Sequence, residues 1–400
     1  MRVYRNQVVD ALRGLSLFGI LIANMLIFQY GMFGKDEIHR FNVTTTDRWI
    51  REGLTILVES SFMPIFAFLF GYGVVKMTEK LSNQGLRHKR YLSRRFVCLL
   101  LLGGLHAYYL WEGDILLTYG MTGFILLFFI NRKSKTILIW SVVLLALGGA
   151  SVYGGEESLS SDGDERIMSE YMTETETVNG GGSYQEIKFH RNNVDPLNLS
   201  GGEALVILLL VPLFTLPMFL IGMIAAKRSW FVHIEEHRHR WQRGAILGSI
   251  VGISCKSFVI IFPALPIGST FYLIGGPILS LGYISMFVLV LNRDHLLVRG
   301  LSSVGRYSLT NYILQSVVCT TLFYGYGFGW FGKIGVTAGV GISFLLFALQ
   351  WGGSLLYSQY FRTGPLEWVI RVFTYLKWSG KPTSRNVTEE ISHKRHREAL

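Results

Sequence analysis

Three ionisable side chains that can exchange protons, His106, Glu112 and Asp114, fall together in the stretch GGLHAYYLWEGDILLTYGMTG, from Gly103 to Gly123. This stretch joins two strongly apolar segments. Ionisable groups are rare in membrane spans, face protein or water, and commonly mark a functional path. His106 precedes Trp111 by five residues, which sets it ~7–8 Å below the helix end at ~1.5 Å per residue. Gly113 lets the chain turn, and Asp114 begins the next helix. In a dry pocket a carboxylate fixes the tautomer of an imidazole and stabilises the imidazolium, so His106 with Asp114 has the make-up of a general base. The plainer alternatives are that Asp114 caps the following helix and that His106 bonds across helices.

Four further groups of polar residues sit at the edges of apolar runs. Glu59 lies six residues into the second run, before Ser60, Ser61 and an expected kink at Pro64. Counted from the same face, its depth resembles that of His106, so it is a candidate for the same cavity. A carboxylate there must protonate or find a partner. Asp10 and Arg13 are three residues apart at the start of the first run, the spacing of a helical ion pair. Asn24 is a deeper polar residue of that run, available as interhelical glue or as a donor to substrate. In GRYSLTNYILQS, Ser308, Asn311 and Gln315 follow a 3,4 spacing beside Tyr312 and behind Arg306. Such a stripe faces protein or a wet site rather than lipid, as glue or as a ligand contact. Arg306, Arg94 and Arg95 match an anionic ligand arriving from the cytoplasm, because guanidinium fits phosphate geometry. As topology determinants the same arginines need no ligand. The glycines of FGYG (70–73) and of 325–335 lack the strand–loop–helix setting of a phosphate loop; close helix contact explains them.

The elements that must position these groups are membrane helices. Half of the 400 residues are hydrophobic and 16% are charged, against roughly 25% in soluble domains. Apolar runs of about 20 residues, enough to cross a hydrocarbon core, recur along the chain. Ten spans are expected, at 12–30, 53–76, 96–112, 114–131, 136–154, 203–226, 244–263, 270–291, 307–326 and 334–357. They are helical, since lipid leaves backbone groups to be satisfied within the segment and the alternation of a β-barrel is absent. Connections 77–95, 131–135, 227–243 and 292–306 are rich in Lys and Arg, and with ten spans they share a side with both termini. The positive-inside rule makes that side the cytoplasm and accounts for the net charge of +11 without nucleic acid. The N-terminal run, interrupted at its start by Asp10 and Arg13 and followed by no small-residue cleavage site, reads as an uncleaved span.

The connection at about 155–202 is acidic and rich in Gly and Ser. It reads as a partly disordered extracytoplasmic loop. After Gly364, Pro365 and the Glu367/Arg371 pair favour a short helix, and its aromatic residues suit the inner membrane surface. The fold class is therefore all-α integral membrane. It has one transmembrane domain over 1–362, an interfacial amphipathic helix at 363–379 and a mobile cytoplasmic tail at 380–400. Cys98, Cys255 and Cys319 lie in apolar runs without ligand or disulfide spacing, and no metal is called for.

Five ordered motifs resemble the YeiB-like family of bacterial membrane proteins: VDALRGLSLFGILIANM, FAFLFGYG, the Gly103–Gly123 stretch, VGRYSLTNYILQS and YFRTGPLEWVIR. The resemblance spans nearly the whole chain apart from the acidic loop and the tail, and it implies the bacterial inner membrane. That family is similar to transmembrane acyltransferases, including the lysosomal heparan glucosaminide acetyltransferase and the OafA-type polysaccharide acyltransferases. Those enzymes move an acyl group from cytoplasmic acyl-CoA to an acceptor across the membrane. The matching pattern here is Asp10, Arg13-Gly14 and Asn24, followed by FAFLFGYG. One departure stands out: the acetyltransferases carry their key histidine between the first two spans. His39 lies there in this chain, without a motif around it, whereas the family histidine is His106.

The resemblance and the polar groups together imply an acyltransferase that uses acyl-CoA or acetyl-CoA as co-substrate. His106, Asp114 and Glu59 are the catalytic candidates, with His106 the base. Arg306, Ser308, Asn311, Gln315, Asp10, Arg13 and Asn24 are the candidates for holding the donor. The alternative is a proton-coupled transporter or exporter with His106, Asp114 and Glu59 as its relay; a structural membrane protein is the third possibility. Expected partners are the lipid bilayer, acyl-CoA and a cell-surface glycan or lipid acceptor. A homodimer stays open, and nucleic acid is not expected.

Overall fold

The computed structural model describes residues 7–153, 162–197, 199–232, 234–291 and 296–382, and among these every regular element is helical. In chain order the helices are α1 (Gln7–Tyr30), α2 (Thr45–Leu57), α3 (Met63–Asn83), α4 (His88–Tyr109) and α5 (Leu116–Phe129). There follow α6 (Ser134–Ser151), α7 (Asp162–Gly181), α8 (Tyr184–Asn193), α9 (Gly201–Lys227) and α10 (Arg238–Ile261). The last five are α11 (Gly268–Leu291), α12 (Leu296–Arg306), α13 (Ser308–Phe323), α14 (Val336–Tyr360) and α15 (Pro365–Tyr375). Residues 383–400, most of the expected tail, lie outside the described residues, as do Arg293, Glu156 and Glu157.

Six of these helices, α1, α6, α9, α10 with its preceding turn, α11 and α14, are long and apolar enough to cross a membrane. The other four expected spans also coincide with helices, α3, α4, α5 and α13, which fall short in length or apolar character. α5 and α13 have only 14 and 16 residues, and α4 begins with the basic run HKRYLSRR.

The structure corrects the expected second span in two respects. The second span is not one helix from 53 to 76: it breaks over 58–62, where Ser60 adopts φ 54. Pro64 is not a kink but sits in the first turn of α3, where its missing N–H costs nothing. Within the acidic connection, α7 and α8 occupy much of the described length. Ser183 opens α8 with a capping box to Glu186, which satisfies two end N–H groups reciprocally.

The helices pack pairwise, α10 on α11, α3 on α9, α1 on α12 and α4 on α5. Small residues let the backbones meet, as in membrane interfaces generally. A methyl group at Gly71 of α3 would collide with the Phe219 carbonyl of α9, and one at Gly222 with the Phe68 carbonyl. The same reciprocal arrangement joins α1 to α12, where Gly14 meets Leu301 and Gly305 meets Asp10. That contact brings the Asp10–Arg13 turn beside Arg306.

Candidate functional site

The His106 hairpin is fixed from three sides. At the end of α4 the N–H groups of Leu110 and Trp111 both bond to the His106 carbonyl, which closes the helix. Trp111, fully buried, stacks on Phe28 at 4.0 Å between ring centroids and closes one end of the hairpin. Tyr312 of α13 donates its hydroxyl hydrogen to the Gly113 carbonyl (3.1 Å) and accepts from the Ile115 N–H (3.3 Å), holding the turn.

Within this frame His106 Nδ1 lies 2.7 Å from Asp114 Oδ2, and His106 Nε2 lies 2.9 Å from Ser316 Oγ of α13. The side chains of His106 and Asp114 are each only 2% exposed. The other Asp114 oxygen accepts from the Leu117 N–H at 2.7 Å, at the start of α5. The capping and orienting roles of Asp114 are therefore not alternatives: one oxygen performs each. With a carboxylate that only accepts and a neutral imidazole, this geometry places the proton on Nδ1 and turns the Nε2 lone pair to the serine hydroxyl.

On the other side of Tyr312 is a cavity of about 280 Å³, near the small end of ligand pockets, which run roughly 300–1,000 Å³. Its polar lining includes Arg13, Arg95, Arg306, Arg371, Ser308 and Glu367, from α1, α4, α12, α13 and α15. Leu17, Phe66, Phe70, Leu99 and Tyr119 make much of its apolar wall, and Ile115, Leu116 and Tyr312 connect it to the hairpin. The Tyr312 and His106 ring centroids are 5.3 Å apart, so one aromatic ring separates the cavity from the imidazole.

Cations dominate the cavity lining. Arg13 Nη1 bonds to Asp10 Oδ1 at 2.9 Å, the expected ion pair. Glu367 is engaged elsewhere, accepting from the N–H groups of Leu309 and Thr310 and from the Thr310 hydroxyl. It thus caps the start of α13 from the short helix α15. Among the described residues neither Arg95 nor Arg306 has a carboxylate within ion-pair distance, and the buried Nε of Arg306 has no hydrogen-bond partner.

The polar stripe of α13 divides. Ser308 lines the cavity beside Arg306, but Asn311 and Gln315 do not. Asn311 donates to Ser354 Oγ and to the Val304 carbonyl, while Gln315 donates to Gln350 Oε1, and Gln350 donates back to the Asn311 carbonyl. These bonds make an interhelical ladder to α14, the glue alternative. Asn24 is half-buried on α1 outside the cavity lining, and Arg94 is likewise not among the residues that line it.

Glu59 stands apart from the hairpin, which corrects the expectation that it shares the cavity of His106. The break in the chain over 58–62 directs its carboxylate to Arg51 Nη1 (2.9 Å) and Lys35 Nζ (3.7 Å). Beneath it, Lys256 of α10 is fully buried, with Nζ donating to the Glu59 carbonyl and to Ser61 Oγ and lying 5.1 Å over the Tyr272 ring. The lysine and Ser280, which donates to the Ser61 carbonyl, satisfy carbonyl groups released by the break.

Beyond the hairpin, α8 closes the end of α4. Arg191 donates to the carbonyls of Leu110 and Tyr108, and Tyr184 donates to that of Tyr109. Three carbonyls that a helix end leaves unpaired are thereby satisfied. His190 of α8 lies against Tyr171, and burial lowers its pKa, with Glu174 opposing that shift.

The family model described as "Protein of unknown function (DUF418)" matches residues 225–377. This region carries α12, α13 and α15, and hence Arg306, Tyr312, Ser316 and Arg371. The uncharacterized protein YxaH of Bacillus subtilis (strain 168) is 33% identical over 386 residues, covering 93% of this chain and 94% of the relative. The chain belongs to the YeiB-like DUF418 family. A second member, the uncharacterized protein YeiB of Escherichia coli (strain K12), is 28% identical over 418 residues, covering 95% and 99% of the two chains. An uncharacterized 39.9 kDa protein encoded in the amylase 3′ region of Bacillus acidopullulyticus is 24% identical over 92% of this chain. No solved structure matches the chain.

Ser316 was not singled out in the sequence, although Tyr312 and Ser316 share a helical face one turn apart. Lys256 gave a plainer signal, a lysine within an apolar run.

Proposed function

We propose that this DUF418 protein is a membrane-embedded acyltransferase that takes its acyl group from a cytoplasmic acyl-CoA. The carrying observation is the alignment of three features: a guanidinium-lined cavity, an apolar wall, and an oriented imidazole one aromatic ring beyond it. In this reading ten helices cross the bacterial inner membrane with both termini in the cytoplasm, and the four arginines lie at the inner face. That topology is supported by the convergence of Arg13, Arg95, Arg306 and Arg371 on one cavity. Each comes from a different part of the chain: Arg95 and Arg306 close the basic connections 77–95 and 292–306, Arg13 lies near the N-terminal end of the first span, and Arg371 lies on the interfacial helix after the last.

The cavity is too small for a whole nucleotide thioester but suits its extended arm. The phosphates stay at the arginines, where guanidinium makes bidentate contacts, and the thioester points toward Tyr312. His106, held as the Nε2 base by Asp114, removes the proton of the group that attacks the thioester, and the acyl group leaves on an extracytoplasmic or membrane-embedded acceptor. Purified protein in lipid nanodiscs, given acetyl-CoA or a longer acyl-CoA, should bind the thioester with an affinity that depends on Arg306. His106→Ala should keep that binding and lose transfer; undiminished transfer by this variant would exclude His106 as the base.

A second reading is supported by one observation, the break over 58–62, because interrupted helices with polar linings recur in transporters. It makes the chain a proton-coupled transporter with His106, Asp114 and Glu59 as its relay. Glu59 bonds to Arg51 and Lys35 rather than toward His106, so the relay lacks its middle step. Flux driven by a pH gradient, with no acyl-CoA binding, would favour this reading.

A further inference from the structure

Ser316 completes an array that the acyltransfer reading does not by itself require. Asp114 Oδ2, His106 Nδ1, His106 Nε2 and Ser316 Oγ form a chain of two contacts, 2.7 and 2.9 Å long. The members come from the α4–α5 hairpin and from α13, 210 residues away. This is the arrangement by which a buried carboxylate, an imidazole and a hydroxyl generate an alkoxide-like nucleophile, and it is recognised by geometry rather than by sequence order. A base with its lone pair already directed at a hydroxyl acts first on that hydroxyl. The Ser316 Oγ lies 3.5 Å from the carbonyl of Tyr312 one turn earlier, so its stronger partner is the imidazole.

Position favours the same conclusion. Tyr312 is a cavity residue of α13, and Ser316 follows it by about one turn, about 6 Å farther along the helix. A thioester that enters past the arginines reaches Tyr312 first, and Ser316 is the next hydroxyl along the same face of α13. On the outer side Trp111 and Phe28 close the approach, which keeps water from the serine while the donor is bound.

We propose, resting on the acyltransfer reading above, that Ser316 is a catalytic nucleophile and that transfer proceeds in two steps through an acyl ester on its Oγ. In the first step His106 Nε2 takes the Ser316 proton while Oγ attacks the thioester carbonyl. The C–S bond breaks, and His106 returns that proton to the departing CoA thiolate, leaving free CoA and acyl-Ser316. In the second step a hydroxyl or amine of the acceptor attacks the ester and gives its proton to His106. The C–Oγ bond breaks, and Ser316 recovers its hydrogen from His106.

The first step needs no acceptor, so it can be tested before the acceptor is identified. Wild-type protein in nanodiscs is incubated with radiolabelled acetyl-CoA or palmitoyl-CoA, denatured in acid and digested, with CoA release followed in parallel. The expected result is an acid-stable, hydroxylamine-labile acyl group on the peptide that contains Ser316, with CoA release no greater than one equivalent per protein. Ser316→Ala and His106→Ala should each lower labelling and release by at least about 100-fold while retaining CoA binding and thermal stability. Ser316→Cys should restore labelling, now as a thioester. Bound thioester with no acyl-Ser316 in the wild type, or transfer retained in Ser316→Ala but lost in His106→Ala, would overturn the covalent step and leave direct transfer by His106 standing. Failure to bind either thioester would overturn the acyltransfer reading and this step together.

Discussion

The Glu59–Lys256 cluster and the arginine-lined cavity both gather charge within one helical bundle, but only the cavity is hollow and lined by more cations than carboxylates. Around Glu59 each polar group has a local partner: Arg51 and Lys35 meet the carboxylate, and Lys256 Nζ meets a carbonyl and a hydroxyl. Around the cavity, Asp10 bonds to Arg13 and Glu367 caps α13, which leaves Arg95 and Arg306 without carboxylates. Buried charge alone is thus a poor marker of a site, since it equally well repairs a broken helix. Half-buried arginines without carboxylates beside empty volume point to a ligand of the opposite sign.

Substitutions that affect one region and spare the other test this contrast. The largest effect is expected from His106→Ala, which should lower transfer about 1,000-fold, within the range that a general base contributes, without lowering the amount of folded protein. Next, Lys256→Ala should leave donor affinity unchanged but destabilise the fold by about 3 kcal/mol, the cost of exposing buried acceptors without a donor, as read by thermal unfolding in detergent. If Lys256→Ala instead abolished transfer in stably folded protein, the two regions would be functionally joined.

A third test uses acid. Asp47, in the first turn of α2, accepts from the N–H and hydroxyl groups of both Thr44 and Thr337, and so ties α2 to α14. Burial by itself would raise its carboxyl pKa, but these four hydrogen bonds together bring it down to about 2. A depressed carboxyl contributes stability that is complete above its unfolded value near 4 and is lost as pH falls toward 2. Asp47→Asn should therefore cost about 2 kcal/mol at neutral pH, and the difference from wild type should shrink between pH 4 and 2 in unfolding experiments. The smallest effect is expected at the cavity rim. Arg306→Ala should weaken acyl-CoA binding about 10-fold in titration calorimetry, with no change in melting temperature, and Arg306→Lys should recover only part of the loss.

Much of the scaffold was legible because membrane helices follow from composition and apolar run length. The segments 12–30, 203–226 and 270–291 fall inside α1, α9 and α11. The break over 58–62 was not legible, because Ser60 and Ser61 interrupt an apolar run without a strong breaker and Pro64 suggests a kink where it in fact starts a helix. α7 and α8 were hidden by a Gly- and Ser-rich composition, although the capping pair Ser183 and Glu186 was a local signal. At the site, the His106–Asp114 pairing followed from their places on either side of a tight turn. The contacts of Glu367 with α13 and of Ser316 with His106 did not, because they join segments whose relative rotation depends on packing between helices. Reading α13 as one stripe grouped Asn311 and Gln315 with Ser308, whereas a straight stripe two turns long faces α14 at one end and the cavity at the other.

The central claim is that the acyl donor occupies the arginine-lined cavity beside Tyr312. It is tested most directly by photolabelling nanodisc-embedded protein with an acyl-CoA that carries a diazirine in its chain, followed by mass spectrometric mapping. The account expects adducts on cavity residues such as Tyr119, Leu99 and Tyr312, suppressed by excess CoA and reduced in Arg306→Ala. Adducts confined to lipid-facing residues of α6 or α10, and indifferent to CoA, would contradict it.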